Sequence, residues 1–464
     1  MENRDYDLII VGAGAAGTSA ALSAAERAKA SGKNLRIAIL ERTGESDWGG
    51  NSRYTNSYFR MTDEEHLYPT FEEDIMKDSK GKANRDYVHR LALEAVSTIG
   101  WVRSKGVKLQ VMSEFSVANF ALGPVGGGLA IITALRSHAE KLGVSILLET
   151  TAYKLIQDET GTVNGIMVRD RDGKTKKLAC SAVILAGGGF EGNIELLTRY
   201  ISREAASLRM DVPATKFHMG ECMTMAFEIG AAPSGEFGSY HGDAVDVRSD
   251  GYRPIIRSHP FGISVNSNGE RFIDEGMDEM NGSFEFMARA IFNQPGHNAF
   301  FIFDKKARSI PNFDKNNWTK FPPYEAETLE ELARIINLLP ARLIKTLDEF
   351  NRSVQPGEFN PTKRDNKHTE GIIPAKTNWA LTIDESPYFA YPVDSTVQFT
   401  WGGLSTDSHA RVLASNGSPI AGLYAAGELV GLYYHHYTPG TSVMRALTYG
   451  RIAGTESANW ISSK

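Results

Sequence analysis

The stretch that decides the fold is Asp7-Leu-Ile-Ile-Val11, which runs directly into Gly12-Ala-Gly14-Ala-Ala-Gly17. The apolar run predicts a buried parallel strand, because a strand covered on both faces carries continuous rather than alternating apolar residues. The Ala-rich segment 19–27 predicts a helix, and residues 35–40 predict a second strand that ends at Glu41. Together these elements form one βαβ unit of about 30 residues, which is typical of a dinucleotide-binding domain.

The three glycines each meet a requirement of a bound dinucleotide. Gly12 permits the tight turn after the strand, Gly14 lets the backbone approach a pyrophosphate, and Gly17 lets the helix pack closely on the strand. The helix N-terminus offers unpaired N–H groups and a partial positive charge to the phosphates. Glu41 is placed to accept hydrogen bonds from ribose hydroxyls. A glycine-rich turn without a ligand is the alternative interpretation.

Two later segments indicate which dinucleotide is bound. Gly50-Asn51-Ser52 closely follows Glu41 as a polar glycine turn that can continue along the same dinucleotide. Near the C-terminus a glycine-bounded strand over 422–427 ends at Glu428, and its return to the nucleotide domain suits contact with a ribityl chain. The sequence therefore predicts FAD. The predicted FAD-binding residues are Gly12, Gly14, Ala15, Ala16, Gly17, Glu41, Arg42, Gly50, Asn51, Ser52, Ala152, Ala186, Gly187, Gly188, Gly427, Glu428, Ser442 and Val443.

A second glycine run leaves open a nicotinamide-binding unit. Gly123-Pro-Val-Gly126-Gly127-Gly128 precedes a predicted helix over 129–141 and a predicted strand over 144–148 that ends at Glu149. Its glycine spacing does not match the dinucleotide fingerprint, and no third strand completes a separate domain. FAD alone is therefore the favoured interpretation.

The rest of the chain predicts a nucleotide-binding domain that is interrupted and then resumed. A helix is predicted over 82–105, strands over 115–121 and 182–185, and a hairpin from 162–168 and 174–178 around an Asp-Gly turn. From about residue 236 the sequence becomes richer in Asn, Pro, Phe and charge, and a helix over 442–460 closes the chain. We expect an α/β fold, in which a Rossmann-type FAD-binding domain (residues 1–235 and 391–464) receives an inserted α+β capping domain (residues 236–390).

Composition excludes several classes of function. The 464 residues carry a net charge of −6 without a dense block of Lys or Arg, so nucleic acid is not an expected partner. The two cysteines, Cys180 and Cys222, are too few for an iron–sulfur centre or a Cys-rich zinc site. The polar start does not resemble a signal peptide, and no apolar run is long enough to span a membrane, so we expect a cytoplasmic location. Electrons must then travel through a flavin, a diffusible acceptor or another subunit.

Over nearly its whole length the chain resembles the flavoproteins of the fumarate reductase and succinate dehydrogenase superfamily. The segments that carry this resemblance are Gly12 to Gly17, Gly50-Asn51-Ser52, Ala186-Gly-Gly-Gly-Phe190, Val265-Asn-Ser-Asn-Gly-Glu-Arg-Phe272, Asp274-Glu275, Ala425-Ala-Gly-Glu428 and Gly450-Arg-Ile-Ala-Gly454. Residues 271–276 and 294–296 look most like the tricarballylate dehydrogenase branch, and Tyr437 with Pro439-Gly440 resembles the Tyr-Pro-Gly turn of 3-ketosteroid dehydrogenases. The resemblance implies hydride transfer at flavin N5 and proton transfer at the neighbouring carbon, beside a carbonyl or carboxylate.

Two departures from the superfamily pattern bear on the substrate. Where fumarate reductases have an arginine general acid, this chain reads Gly276-Met-Asp-Glu279, and their His-Gly-x-Asn-Arg-Leu-Gly-Gly segment is replaced by Tyr433-Tyr-His-His-Tyr-Thr-Pro-Gly440. Two cations that would hold a dicarboxylate are missing, so we expect an uncharged or aromatic substrate rather than fumarate or succinate. The histidine of covalent flavin attachment has no counterpart in residues 51–57, and we expect FAD to be bound non-covalently.

The catalytic candidates come from two segments. The first is a dense cluster of aromatic and titratable side chains near the C-terminus, consisting of Tyr434, His435, His436 and Tyr437. By resemblance, Tyr437 would bind a substrate carbonyl with help from a backbone N–H near Gly440, and a histidine would serve as acid or base. The second segment lies in the predicted cap, where Arg257 and His259, like Tyr240-His241, are candidates for binding an anion or a carbonyl; interdomain salt bridging is the alternative.

The sequence thus predicts an FAD-dependent dehydrogenase or ene-reductase that acts on a C–C bond next to a carbonyl or carboxylate of a small molecule. Two other readings remain open. One is a flavin oxidase of a C–N or C–O bond that uses O2. The other is a flavin electron-transfer subunit that docks an iron–sulfur partner.

Overall fold

A six-stranded sheet built around the first apolar run organises the structure. The computed structural model describes residues 4–111, 122–278 and 280–464. Only the edge pair of the sheet is antiparallel. In spatial order the strands are Arg411–Leu413, Pro419–Ala425, Ala182–Leu185, Leu8–Val11, Ile37–Leu40 and Ser145–Leu147. Every residue of the three strands from Ala182–Leu185 to Ile37–Leu40 is buried, which explains their continuous apolar sequence.

The two ends of the chain meet on this sheet. The first helix, Ala15–Ala30, packs along the last helix, Ser442–Ser462, and Ser19 Oγ donates to the Leu447 carbonyl at 2.7 Å. A Cβ on Gly450 would lie 2.3 Å from the Ala16 carbonyl oxygen, so the close approach of the helices requires glycine there. The strand Pro419–Ala425 lies parallel to Ala182–Leu185. The predicted Rossmann-type domain and its C-terminal return are therefore confirmed.

Most of the predicted elements of this domain are present in the structure. The predicted hairpin is confirmed as Val163–Arg169 and Thr175–Ala179, extended by Thr151–Gln157 into a three-stranded antiparallel sheet. The strand predicted over 115–121 lies outside the described residues. This domain also contains three short antiparallel strand pairs: Leu109–Val111 with Leu122–Pro124, Pro233–Ser234 with Gly403–Leu404, and Tyr240–His241 with Phe399–Thr400. The remaining α-helices of this domain are Phe71–Asp78, Arg85–Ser104, Gly127–Lys141, Ile194–Tyr200 and Glu221–Glu228.

A mixed sheet with its own two cores forms the α+β cap. Its long strand, Tyr388–Val397, pairs with Asn298–Asp304, which pairs in turn with Ile263–Asn266. Alternate residues of the middle strand point to opposite cores, with Phe301 and Phe303 in one and Ile302 in the other. The short strands Arg209–Met210, Ala244–Asp246 and Tyr324–Ala326 also pair with the long strand, and the cap helices are Met280–Phe292, Lys305–Arg308, Leu329–Ile335 and Pro340–Ser353. The predicted boundary at residue 390 falls inside the long strand, and the division at 235 and 390 remains a prediction.

The second glycine run has a packing role. A Cβ on Gly128 would lie 2.0 Å from the carbonyl oxygen of Ser52, so the helix Gly127–Lys141 touches the loop after the second strand. The strand Ser145–Leu147 pairs with Ile37–Leu40 in the main sheet. Because these elements complete the first domain, they do not form a separate nicotinamide-binding unit. Among the described residues, no helix is both long and apolar enough to cross a membrane.

Candidate active site

One cavity of about 500 Å³ runs from the main sheet to the cap. It begins at the carboxyl ends of the first two strands, where Val11 and Leu40 line it, and it reaches His241 and Phe284 in the cap. The carboxyl edge of a parallel sheet is where open α/β folds bind ligands. We call the part beside the first helix the nucleotide end, and the part between the cap and the C-terminal segment the substrate end.

The glycine turn at the nucleotide end has the geometry that a pyrophosphate requires. Gly12 has φ +101°, and a Cβ there would lie 2.4 Å from the carbonyl oxygen of Ala186. The first helix begins after Gly14, which has no side chain to accept an N–H of the first turn. Ala15 and Ala16 of its first turn line the cavity, and Ala15 N–H donates to Ser52 Oγ at 3.0 Å. An uncapped helix N-terminus beside side-chain-free backbone fits a phosphate group.

Glu41 is fixed at the place where a ribose would lie. Its Oε2 accepts a hydrogen bond from Ala13 N–H at 3.0 Å, and its Oε1 accepts from the N–H and hydroxyl of Thr43 at 3.0 and 2.9 Å. The carboxylate is buried and lines the cavity. These donors hold both oxygens in position, and Oε2, which accepts one hydrogen bond, retains a lone pair for a ribose hydroxyl.

All the predicted FAD-binding residues except Gly17 line the cavity. Gly17 lies behind the turn, where a Cβ would fall 1.8 Å from the Gly12 carbonyl oxygen. Two of the lining side chains are engaged within the protein: Arg42 pairs with Glu221 at 2.5 Å, and Asn51 donates to Glu191 at 2.9 Å. The role of each residue toward FAD remains a prediction, and the cradle as a whole fits that cofactor.

A buried cluster of two carboxyl groups and one imidazole adjoins the cofactor cavity. Nδ1 of His218 is hydrogen-bonded to Glu191 Oε1 and lies 3.9 Å from Glu428 Oε2. Burial raises the pKa of Glu191 to about 8, and burial together with the neighbouring Glu191 raises that of Glu428 well above its usual range. Burial lowers the pKa of His218. The three ligand atoms lie within 4.8 Å of one another, but carboxyl groups that retain their protons are poor ligands for a cation. The arrangement favours a cluster that shares protons.

Three of the arginines that line the cavity are each paired with an aspartate. Arg257 Nη2 lies 2.9 Å from Asp243 Oδ1, and Arg253 Nε lies 3.5 Å from Asp211 Oδ2. The third pair joins Arg60 and Asp74 at 2.5 Å. Burial raises the pKa of Asp211 to about 6. Burial also acts to raise the pKa of Asp243, but the charges of Arg257 and Arg253 outweigh it and the pKa falls.

Aromatic rings surround His241 at the substrate end. Strand pairing places His241 opposite Phe399, and the two ring centroids are 4.6 Å apart. The rings of Tyr437 and Phe284 lie 4.6 and 5.2 Å from the imidazole. The Tyr437 hydroxyl donates to Ser442 Oγ at 3.1 Å and accepts from Ser442 N–H at 3.3 Å, at the start of the last helix. All four rings line the cavity, so this wall is largely apolar.

The predicted catalytic residues separate into two groups. Arg257, His436 and Tyr437 line the cavity, whereas Tyr434, His435 and His259 do not. The Tyr434 hydroxyl accepts from Gly235 N–H at 2.8 Å, and His435 is exposed. His259 is buried in the cap beside Ser283, at 3.0 Å, and burial lowers its pKa to about 3. The catalytic role of all six remains a prediction.

Several residues of the site have little or no recognisable pattern around them in the sequence. Glu191 follows the Ala186-Gly-Gly-Gly-Phe190 segment directly, and its place in that motif is the one local hint that it lies near the cofactor. His218, Asp211 and Glu285 stand in segments without a recognisable pattern. Arg253 precedes Arg257 by four residues, and of these two cations of the cap only Arg257 was predicted from the sequence.

The sequence matches a known family and is similar to several known reductases. Residues 7–444 match the family described as FAD binding domain. A vinyl phenol reductase from Lactiplantibacillus plantarum is 26% identical over 98% of this chain and 97% of its own length. A probable fumarate reductase from Shewanella frigidimarina and a urocanate reductase from Eggerthella lenta are each 28% identical, covering 97% and 98% of this chain and 74% and 75% of their own lengths.

Solved structures share the fold. The open conformation of a flavocytochrome c3 fumarate reductase superposes with a TM-score of 0.77 at 24% identity, covering 98% of this chain and 78% of that chain. The 3-ketosteroid-Δ4-(5α)-dehydrogenase from Rhodococcus jostii RHA1 gives a TM-score of 0.75 at 22% identity, covering 99% and 98%. At these sequence identities the similarity shows a shared fold.

Proposed function

The chain belongs to the FAD binding domain family and is an FAD-dependent oxidoreductase, and from this premise we propose that its substrate is an uncharged molecule with a C–C bond conjugated to a carbonyl group. When bound, FAD supplies hydride transfer at its N5 atom. The glycine turn and Glu41 would hold the adenosine diphosphate half of the cofactor. Glu428, Ser442 and Val443 would hold the other half.

The names of the relatives support a reaction at a conjugated C–C bond. Vinyl phenol, urocanate and fumarate each contain a double bond conjugated to an aromatic ring or a carboxylate, and the relatives named for them are reductases. Another relative is named 3-oxosteroid 1-dehydrogenase, at 29% identity over 72% of this chain. A carbonyl beside the bond stabilises charge that develops during hydride transfer.

The observation that carries the substrate proposal is the pairing of three cavity arginines with aspartates. A dicarboxylate needs cations whose charge is not already neutralised, because burying an unpaired anion costs several kcal/mol. Arg60, Arg253 and Arg257 each face an aspartate within 3.5 Å. The charges of these three arginines are thus already neutralised, whereas the buried Arg445, which also lines the cavity, donates to the Val430 carbonyl at 2.8 Å and faces the Tyr433 ring. The aromatic wall of the substrate end offers apolar contact to a ring or an alkyl chain.

Tyr437 is the proposed carbonyl-binding residue. Its hydroxyl accepts the N–H of Ser442 at the positive end of the last helix, which makes its own O–H a stronger hydrogen-bond donor. In the structure that O–H is directed to Ser442 Oγ, and a rotation about the C–O bond redirects it toward a substrate carbonyl. A hydrogen bond from Tyr437 would orient the substrate and stabilise the oxyanion character of the carbonyl.

A substrate panel tests the proposal. The protein is reduced anaerobically and mixed with 4-phenyl-3-buten-2-one, 4-vinylphenol or fumarate, and recovery of the oxidised-flavin absorbance is followed. We expect 4-phenyl-3-buten-2-one, which has the conjugated carbonyl, to reoxidise the flavin at least about 100-fold faster than fumarate does, and 4-vinylphenol, which lacks a carbonyl, to react more slowly than the ketone. Equal rates with fumarate would contradict the assignment of an uncharged substrate. Reoxidation by air that outpaces every alkene would instead identify an oxidase.

A further inference from the structure

A buried carboxylate in the cap joins two histidines of the cavity wall. Glu285, on the helix Met280–Phe292, places Oε2 3.4 Å from Nδ1 of His241 and Oε1 3.3 Å from Nδ1 of His436. The Glu285 side chain is 1% exposed. Arg289 donates from Nη2 to Oε1 at 2.8 Å. Three groups therefore hold this carboxylate in place, and neither the cofactor cradle nor the binding of a carbonyl by Tyr437 requires it.

His241 is the inner member of this unit. Its imidazole stands among the rings of Phe284, Phe399 and Tyr437, all of which line the cavity. Nδ1 is taken by Glu285, and Nε2 makes no hydrogen bond within the described part of the chain. The second ring nitrogen is thus available to a molecule at the substrate end.

His436 is the outer member. Its ring stacks on Phe286, with centroids 4.5 Å apart, and 12% of its side chain is exposed. The preceding residue, His435, is exposed, and its carbonyl oxygen accepts a hydrogen bond from Arg289 Nη2 at 3.1 Å. Glu285 therefore connects a buried imidazole to one that solvent can reach.

Charged and titratable groups face this unit from several elements. Burial raises the pKa of Glu285, but its hydrogen bonds with His241 and His436 and the charge of Arg289 outweigh burial, so that the net pKa is lowered and the group is ionised. An ionised carboxylate beside an imidazole favours the protonated ring. The other groups that interact with the unit are Asp211, Asp243, Tyr240, Tyr433 and His435.

We propose that His241 exchanges the substrate proton through Nε2, that Glu285 positions it and stabilises its charged form, and that His436 holds Glu285 from the side nearer the solvent; this inference rests on the proposed function. In reduction, one new C–H bond would form with the hydride that bound FAD supplies, as the C=C π bond breaks. The imidazolium N–H of His241 supplies the proton for the neighbouring carbon. The loss leaves a neutral imidazole that keeps Nδ1–H on the ionised Glu285, and after product release Nε2 takes up a new proton from solvent that enters the cavity. In dehydrogenation the same steps run in reverse.

Replacement of His241 is the first test. In His241→Gln, the rate of flavin reoxidation by an alkene that is active with the unmodified protein should fall by about 10²–10⁴-fold, the range that general acid catalysis contributes. FAD content and melting temperature should stay close to those of the unmodified protein. In His241→Ala, added imidazole should restore part of the rate. A matched control is His409→Asn, which removes a surface His–Glu pair with Nδ1 2.9 Å from Glu456.

Glu285→Gln tests the positioning role separately. Loss of the carboxylate removes the charge that favours an imidazolium, so the alkaline limb of the pH–rate profile should move to lower pH. The rate at the acidic plateau should fall less than in His241→Gln. A purely structural role would lower the rate equally at every pH.

The outcomes separate this inference from the function on which it rests. If no alkene reoxidises the unmodified protein, the proposed function fails. If an alkene does so and His241→Gln, with full FAD content, reacts at the same rate, the proton assignment is wrong. An unshifted pH–rate profile in Glu285→Gln would overturn the positioning role while leaving the first assignment standing.

Discussion

The two ends of the cavity are built by different means. The nucleotide end is mainly backbone, because the turn at Gly12 and the start of the first helix come from one short stretch of chain. The substrate end is mainly side chains, contributed by positions as distant as Arg60, His241 and Tyr437. Carboxyl groups differ as well: Asp243 is ionised beside Arg257, whereas Glu191 keeps its proton near neutral pH. A site built from backbone requires glycines at fixed spacings, which the sequence shows. A site built from distant side chains has no such spacing, and the sequence shows only that suitable residue types are present.

The largest effect is expected from adding one methyl group at the nucleotide end. In Gly12→Ala the new Cβ would lie 2.4 Å from the Ala186 carbonyl oxygen at φ +101°, so the turn must shift and the cradle is lost. We expect purified Gly12→Ala to contain less than about a tenth of the normal FAD, since more than 1.4 kcal/mol of binding energy is removed. The flavin absorbance per protein measures this.

Gly32→Ala is the matched control for that change. Gly32 also has a positive φ, +69°, but a Cβ there meets nothing within 4 Å. The backbone cost of about 1 kcal/mol then remains without any clash, and FAD content should be normal. Full FAD content in Gly12→Ala would show that the nucleotide end does not depend on backbone contact. In the unmodified protein, denaturation should release all the flavin, as expected of non-covalent binding.

The next effect tests charge pairing at the substrate end. Asp243→Asn leaves the buried Arg257 without its ionised partner, and removal of one member of a buried pair costs about 3–5 kcal/mol. We expect a lower melting temperature together with weaker discrimination against fumarate, because a net cation now lines the cavity. The double replacement Asp243→Leu with Arg257→Met should recover most of the stability. A melting temperature unchanged in Asp243→Asn would mean that this pair does not neutralise the site.

A smaller effect is expected for the proposed carbonyl-binding residue. Tyr437→Phe removes one hydrogen bond to the substrate and keeps the ring, so kcat/KM should fall by about 10–100-fold, equivalent to about 1.4–2.7 kcal/mol. Tyr153→Phe is the control and should leave kcat/KM unchanged, because the Tyr153 ring packs against Arg169 and does not line the cavity. If both variants turn over at the normal rate, Tyr437 does not touch the carbonyl.

The contrast between the two ends also explains what the sequence could predict. Gly12, Glu41 and Glu428 were identifiable because backbone geometry demands their residue types at fixed places beside strands. His241 and Glu285 were not identifiable as a pair. Their contact depends on the ribbon Tyr240–His241 meeting a cap helix 44 residues later, and no local spacing encodes that meeting.

The smallest expected effect concerns the carboxyl group that keeps its proton. The pKa of Glu191 is raised from 4.5 to about 8 in the folded protein, so the native state binds more protons than the unfolded chain between these values. Stability must therefore fall as pH rises through that window. Glu191→Gln keeps the shape without the titration, and its stability relative to the unmodified protein should grow from pH 5 to pH 9. Urea unfolding at the two pH values measures the difference. A difference that does not change with pH would mean that Glu191 is ionised in the folded protein, and the two ends would then hold their carboxyl groups alike.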